Sequence, residues 1–238
     1  MLVRIAAYYR GTGAAVMAKR RGPMFQNAHV LRMFPSFVWK AEVAPEIHRP
    51  LDDVIIRELG GVGGPLGNPA PGESWQSDQR LHAKAAFRGL VEIINAAAEC
   101  VLDNLRIGRQ ALQITGCWAN VNGPGVRHDS HTHPNNYLSG AYYVRTQGGA
   151  DTINFHDPRP QAGVIRPPVR ELTAENADLV VVNVQDGTLL LFPAWLEHSV
   201  DPNRSQRPRI SLSFNLMFPS YAETMGRPLW QGGGRRSA

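Results

Sequence analysis

Cysteine is scarce in this sequence of 238 residues, which contains only Cys100 and Cys117 and no CxxC pair. Two cysteines cannot form the disulfide framework of a small secreted domain, and without paired spacing they do not indicate a cysteine-based zinc site. Both lie in apolar stretches, so we expect buried free thiols. No run approaches the ~20 apolar residues of a membrane helix, and the N-terminal stretch lacks the apolar segment of a secretory signal. We therefore expect a soluble cytoplasmic protein.

Acidic residues are missing from positions 1–23, which contain five basic residues. The formal net charge of the chain is +5, so the remainder holds 20 basic and 20 acidic side chains and is neutral. Because a nucleic-acid-binding domain needs a basic face on its folded part, nucleic acid is not an expected partner. We interpret residues 1–23 as a disordered basic leader, with an interaction tail as the alternative, and residues 223–238 as a flexible tail.

Nucleotide-binding signatures are absent as well. Residues 60–72 are rich in glycine and proline, but they fit neither GxGxxG nor a loop ending in Gly-Lys-Ser/Thr. This segment and residues 157–175 are interpreted as loops that could cover a site. The chain has 23 glycines, 18 prolines and 43% hydrophobic residues, which indicates a folded core with many turns.

Two segments have the apolar spacing of amphipathic helices. The first begins at Pro45 and ends at Gly60-Gly61. The second covers residues 79–106, with Asp78 as a candidate N-cap. Its apolar stripe consists of Phe87, Leu90, Ile94, Ala97, Val101 and Leu105. Each helix needs a partner surface for its apolar face.

From residue 111 onward the apolar period changes to two, which predicts strands. The candidates are residues 112–122, 138–146, 152–156, 178–184, 187–192, 195–200 and 208–218, with one or two more within 29–43. Short strands separated by turns, with no helices between them, favour an antiparallel sandwich, barrel or jelly roll. The predicted fold class is α+β, mainly β. A single jelly-roll domain is expected over residues 24–222, with helical support at about 44–106 and a β core at about 111–218.

Histidines form the clearest candidate site. In an extended strand, His131 and His133 point to the same side and can present two imidazoles to one metal ion. The alternative is a polar surface loop, and His128 is interpreted as a loop residue. His198 follows in an apolar segment and is a candidate third ligand. Arg209 begins a strand whose alternate residues are apolar, so its guanidinium needs an anionic partner, for which a carboxylate is suitable.

This arrangement resembles the iron(II)/2-oxoglutarate-dependent oxygenases, and more narrowly a bacterial and phage branch related to prolyl hydroxylases. The family motif is His-x-Asp/Glu, a distal histidine and then an arginine. The stretches that carry the resemblance are residues 74–77, 117–121, 131–144, 156–159, 191–198 and 209–215. The resemblance implies a double-stranded β-helix and hydroxylation of a substrate, with iron(II), 2-oxoglutarate and O2 as cofactor and cosubstrates.

The resemblance also implies individual roles. His131, His133 and His198 would bind the metal, as the three ligands of the family motif. Arg209 would bind the distal carboxylate of 2-oxoglutarate, assisted by Ser211 and by Tyr143, the second tyrosine of a Tyr-Tyr pair. Asn120 and Trp118 would line the pocket.

The sequence departs from the family motif at one ligand, because His133 stands where a carboxylate is usual. Three neutral imidazoles compensate less of the charge of iron(II), so zinc and nickel are competitors. Asp129 could orient a ligand from outside the coordination sphere. Two other functions stay open: a cupin-like metal protein that does not use 2-oxoglutarate, and a β-sandwich binding module without metal. The substrate, a small molecule or a protein side chain, and the oligomeric state are not encoded in these motifs.

Overall fold

The computed structural model of the chain describes residues 29–222, except for 65, 67, 68, 109, 110 and 166. The chain divides into two compact units, residues 1–36 and 37–238. In the first unit, the described residues 29–36 are solvent-exposed. The leader and the tail expected from the sequence lie outside the described residues, and the domain limits at 24 and 222 stay predictions.

The second unit contains three α-helices and ten strands among its described residues. The helices are α1 (Pro45–Gly61), α2 (Arg88–Asn104) and α3 (Pro219–Ala222). The strands are β1 (Trp39–Glu42), β2 (Ser74–Gln76), β3 (Gln113–Asn122), β4 (His128–His131), β5 (Leu138–Arg145), β6 (Thr152–His156), β7 (Leu179–Asn183), β8 (Thr188–Pro193), β9 (His198–Val200) and β10 (Arg209–Met217). No helix among the described residues is both long and apolar enough to cross a membrane.

The strands form two antiparallel sheets. The major sheet has the order β1-β8-β5-β10-β3-β2, and the minor sheet has the order β4-β9-β6-β7. Neighbouring strands in each sheet are mostly distant in sequence, which is typical of a jelly roll and not of a simple meander. The fold is therefore mainly β with helical support, as the sequence predicts.

The helices cover one face of the major sheet, which we call its outer face. Ile55 and Leu59 of α1 and Leu90 and Ile94 of α2 are fully buried there. They pack against outward-facing residues of the sheet such as Leu212. Since an amphipathic helix is stabilised mainly by burying its apolar face, this contact explains why both segments are helical.

The start of α2 and one cysteine differ from the prediction. The helix begins at Arg88, after two short 3₁₀ turns, and Asp78 does not cap it: its carboxylate accepts hydrogen bonds from the Arg80 amide and the Lys84 ammonium. Cys117 is buried as expected, but Cys100 is exposed. Cys100 lies about 200° around the helix from the buried Leu102, since each residue turns an α-helix by about 100°.

Several strands also differ from the prediction. Residues 29–43 contribute one strand, β1, which lies within the prediction, but β9 begins at His198 because residues 194–197 form a turn. The sequence does not predict β2 or β4. β2 has only three residues, with Trp75 as its single apolar one, and β4 is entirely polar, so neither is long and apolar enough to show the alternation of a half-buried strand.

The other face of the major sheet, its inner face, looks toward the minor sheet. An apolar cluster lies between the two sheets and includes Tyr143, Phe155, Phe192 and Leu196. Strand β5 passes very close to its neighbours: a Cβ atom at Gly140 would clash with both the Leu190 carbonyl oxygen and the Phe214 ring. Glycine is therefore required at this position by packing.

Candidate metal and cosubstrate site

Three histidines converge at one end of the space between the sheets. His131 ends β4 and pairs with His198 of β9 in the antiparallel register, so both side chains lie on the same side of the minor sheet. His133 follows two residues later, where its backbone amide donates to the Ala194 carbonyl oxygen at 2.8 Å. One ring nitrogen from each of the three histidines lies within 4.8 Å of the others.

Backbone carbonyls orient two of these imidazoles. The Nδ1 atom of His131 donates to the Asp129 carbonyl oxygen at 2.8 Å, and Nδ1 of His198 donates to the Leu196 carbonyl oxygen at 3.0 Å. A carbonyl oxygen can only accept, so Nδ1 carries the proton in both rings and Nε2 has a free lone pair. Hydrogen bonds of this kind are typical of histidines that bind a metal.

The spacing of the ring nitrogens suits a shared ion. Nε2 of His133 and Nε2 of His198 are 3.3 Å apart, which allows both to lie at about 2.1 Å from one metal. Burial, together with repulsion from the neighbouring histidines, lowers the pKa of His133 to about 3 and that of His198 to about 4. Both rings are therefore neutral at physiological pH, the form in which imidazole binds a metal.

Arg209 is buried deep in the same space. It begins β10, is 2% exposed, and its Nη2 atom has no hydrogen-bond partner among the described residues. Burial lowers its pKa, and the Tyr143 hydroxyl opposes that shift. A buried guanidinium without an acidic partner is unfavourable, and an anionic ligand would remove that penalty. Arg209 therefore fits the distal carboxylate of 2-oxoglutarate.

The other predicted cosubstrate residues share the inner face with Arg209. Ser211 pairs with Tyr143 on one neighbouring strand and with Asn120 on the other, so the three side chains lie on one side of the sheet. Tyr143 is buried and interacts electrostatically with Arg209, and burial raises its pKa to about 12. Tyr142 points to the outer face, as the alternation predicts.

Asn120 is part of a side-chain ladder. Its Oδ1 accepts from Gln76 Nε2 at 3.2 Å, and its Nδ2 donates to Ser213 Oγ at 3.0 Å. The Trp118 ring is beside His133, with 6.1 Å between ring centroids. Asn120 and Trp118 both lie on the inner face of β3, and Asn120 is held in place by its neighbours; their role in lining a pocket stays a prediction.

His128 is the residue that the sequence analysis assigned wrongly. It lies in β4 and not in a loop, and Asn122 Nδ2 donates to its Nε2 at 3.2 Å. Burial and the nearby charge of Arg209 lower the pKa of His128 to about 4. In a regular strand, residues three apart lie on opposite faces, so the spacing of His128 and His131 did not predict that both belong to the site. An irregularity of the register between these two residues brings them to the same face.

Asp129 acts through its backbone. Its carboxylate is exposed and pairs with Arg127 at 2.9 Å, so it does not orient a ligand. Its carbonyl oxygen does so instead, through the bond to His131 described above.

Part of the sequence matches a family model, and the fold resembles that of solved structures. Residues 116–215 match the model of a family described as "Putative 2OG-Fe(II) oxygenase". That range contains all three histidines of the cluster and Arg209. No curated protein sequence gives a match.

Solved structures with a similar fold include two prolyl hydroxylases and one protein with bound 2-oxoglutarate. A Pseudomonas putida prolyl-4-hydroxylase matches with a TM-score of 0.53 and 13% identity over 76% of this chain and 92% of that one. A prolyl hydroxylase from Trichoplax adhaerens, in complex with a hypoxia inducible factor peptide fragment, matches with a TM-score of 0.54 and 12% identity. The match covers 80% of this chain and 87% of that one. HygX from Streptomyces hygroscopicus, with nickel and 2-oxoglutarate bound, matches with a TM-score of 0.52 and 12% identity. The match covers 77% of this chain and 83% of that one. These matches confirm the jelly-roll fold.

Proposed function

We propose, from the premise that residues 116–215 form a domain of the 2OG-Fe(II) oxygenase family, that this protein hydroxylates its substrate with iron(II), 2-oxoglutarate and O2. Within that family assignment, His131, His133 and His198 are the proposed iron ligands. When bound, iron(II) and 2-oxoglutarate supply O2 activation coupled to decarboxylation of the cosubstrate to succinate and CO2.

The observation that carries the cosubstrate assignment is the buried guanidinium of Arg209. A metal protein that does not use 2-oxoglutarate has no need for an unpaired cation at this depth, because burying it opposes folding. Arg209 and Ser211 would bind the distal carboxylate, with the Tyr143 hydroxyl donating a further hydrogen bond. Asn120 and Trp118 would shape the wall of the site.

The three neutral ligands suit an anionic cosubstrate. Without a carboxylate ligand, the histidines leave the full charge of iron(II) uncompensated. Of the two negative charges of 2-oxoglutarate, the one on the carboxylate beside the keto group would offset part of the metal charge at one end, while the one on the distal carboxylate would balance Arg209 at the other. This arrangement favours joint binding of metal and cosubstrate.

An anaerobic titration of the apoprotein with iron(II) and 2-oxoglutarate tests the proposal. We expect a visible charge-transfer band that needs both components and is lost in His131→Ala. The matched control is His82→Ala, a histidine in the turn before α2, which should keep the band. Iron binding without a band would favour the cupin-like alternative, and no metal binding would favour a binding module.

The substrate class and the location extend this proposal. We propose a small molecule or a protein side chain as substrate, and not nucleic acid, because the chain is neutral outside residues 1–23. We propose a cytoplasmic location, which the two free cysteines support. Fractionation of the producing cells would test the location.

A further inference from the structure

The position of His128 places its ring between the two sheets. His128 pairs with Val200 of β9 in the antiparallel register, and Val200 packs against the apolar cluster between the sheets. Directly paired residues of antiparallel strands lie on the same face. The ring therefore projects from the minor sheet toward the major sheet, where Arg209 is its dominant charged neighbour.

Asn122 connects this ring to the strand beside Arg209. It is the register partner of Arg209 on β3 and is 1% exposed. Because its amide nitrogen can only donate, the bond to His128 uses the lone pair of Nε2 and leaves the proton on Nδ1. Asn122 thus fixes both the ring and its tautomer.

Arg209 is the charged group that acts most strongly on His128, ahead of His131 and of the Asp129 carboxylate. No carboxylate among the described residues pairs with Arg209, and His128 is kept neutral by burial and by the guanidinium. A single positive charge beside a neutral N–H donor matches one carboxylate group. Within the described part of the chain, the one side-chain hydrogen bond seen for His128 is that with Asn122.

On the basis of the proposed function, we propose that His128 is a cosubstrate-binding residue. Held by Asn122, it donates from Nδ1 to the distal carboxylate of 2-oxoglutarate from the minor-sheet side, opposite Arg209. The pocket for this carboxylate is then built by both sheets. His128 thereby contributes to the selectivity for a 2-oxo acid that has a second carboxylate.

A comparison of two cosubstrates tests this role. Anaerobic charge-transfer titrations with iron(II) would use 2-oxoglutarate and 2-oxobutyrate, which has the same 2-oxo acid but no distal carboxylate. The variants are His128→Phe, which keeps the ring shape without a donor, and His128→Gln, which keeps a donor. The matched control is His156→Phe. His156 lies in the same minor sheet, and its ring bonds to Ser199 Oγ on the face away from the cluster.

We expect His128→Phe to weaken 2-oxoglutarate binding by about 10- to 100-fold, the range for a lost hydrogen bond to a charged group, and to leave 2-oxobutyrate binding unchanged. His128→Gln should recover part of the loss, and His156→Phe should behave as the unmodified protein. His128→Gln also keeps the test valid if His128→Phe does not fold.

Two results would overturn the inference alone: equal weakening of both cosubstrates, or no weakening of either, in a protein whose unmodified form gives the band. If the unmodified protein gives no band with 2-oxoglutarate, the proposed function itself fails. The two failures are therefore distinguishable.

Discussion

The two faces of the major sheet differ in composition although the same strands form both. On β10, Ile210, Leu212 and Phe214 are fully buried against the helices, whereas Arg209 and Ser211 face the minor sheet. The outer face buries apolar surface and stabilises the fold. The inner face combines the apolar cluster between the sheets with buried polar groups, and burying such groups opposes folding unless they find partners. On β10, the residues that stabilise the fold and those of the candidate site thus lie on opposite faces.

Buried polar groups on the two faces also differ in their partners. On the outer side, the Asp52 carboxylate of α1 accepts from the Tyr142 hydroxyl and bonds to His48 Nδ1, each at 2.8 Å. On the inner side, Nη2 of Arg209 has no hydrogen-bond partner within the described part of the chain. A paired buried group braces the fold, whereas an unpaired one marks a place for a ligand.

The largest effect is expected for the metal site between the sheets. His198→Ala removes one of three ligands. Iron(II) affinity should therefore fall by more than the roughly 10- to 100-fold that is lost when a residue hydrogen-bonded to a metal ligand is replaced. Competition with a chelator would measure the affinity. Because the His198 ring is buried against Phe192, the free energy of unfolding of the apoprotein should also fall, but by less than in the core substitution Phe214→Ala. A large loss of stability with metal affinity retained would contradict the separation of the two faces.

A core substitution on the outer face should have the opposite profile. Phe214→Ala should lower the free energy of unfolding by about 3–5 kcal/mol, because the cavity forms in a closely packed layer. Urea denaturation would measure it. The protein that remains folded should bind 2-oxoglutarate with unchanged affinity, and weakened binding in that fraction would show that the faces are coupled.

Replacing the buried cation should stabilise the apoprotein while removing function. Arg209→Met keeps most of the side-chain volume and removes an unsatisfied donor, so the free energy of unfolding should rise by about 1 kcal/mol or more. Added 2-oxoglutarate should raise the melting temperature of the unmodified protein with iron(II) but not that of Arg209→Met. A destabilised variant would indicate that Arg209 already has a partner in the apoprotein.

The smallest effect concerns the paired polar group on the outer side. Burial raises the pKa of Asp52 above 3.8, against the hydrogen bonds from His48 and Tyr142, and Asp186 adds to the rise. Between pH 3.8 and the raised pKa, Asp52 loses its proton in the unfolded state but keeps it in the folded state, so the free energy of unfolding falls as pH rises. Above the raised pKa the loss of stability is constant. The stability of the unmodified protein relative to Asp52→Asn should therefore decrease as pH rises from below 3.8. Urea denaturation over a pH series checks this, and an increase would contradict the raised pKa.

The elements that the sequence predicts well are those with one apolar face. Helix α1 and strands such as β3, β5 and β10 bury one side against the outer core, so their apolar residues recur with the period of the element. Where both sides are polar or the chain turns early, that signal is missing. Strand β4 carries His128 and His131 but no apolar residue, and 3₁₀ turns replace the first part of the expected second helix.

The candidate site was predictable in its main residues for a related reason. His131 and His133 are close in sequence, and His198 and Arg209 are unusual within apolar segments. By contrast, Asn122 and His128 meet only because β3 and β4 belong to different sheets that face each other. No spacing along the chain encodes that contact, and the distance of three between His128 and His131 concealed it.

The sequence by itself determined the helical and strand periods, the mainly β fold and the residue types of a histidine and arginine site. Local patterns suffice there because each element must bury its own apolar side. Only the tertiary structure decided that Nη2 of Arg209 lacks a hydrogen-bond partner among the described residues, that Cys100 is exposed, and that His128 lies near the guanidinium. These properties depend on which surfaces meet across the two sheets, and packing between residues distant in sequence sets them.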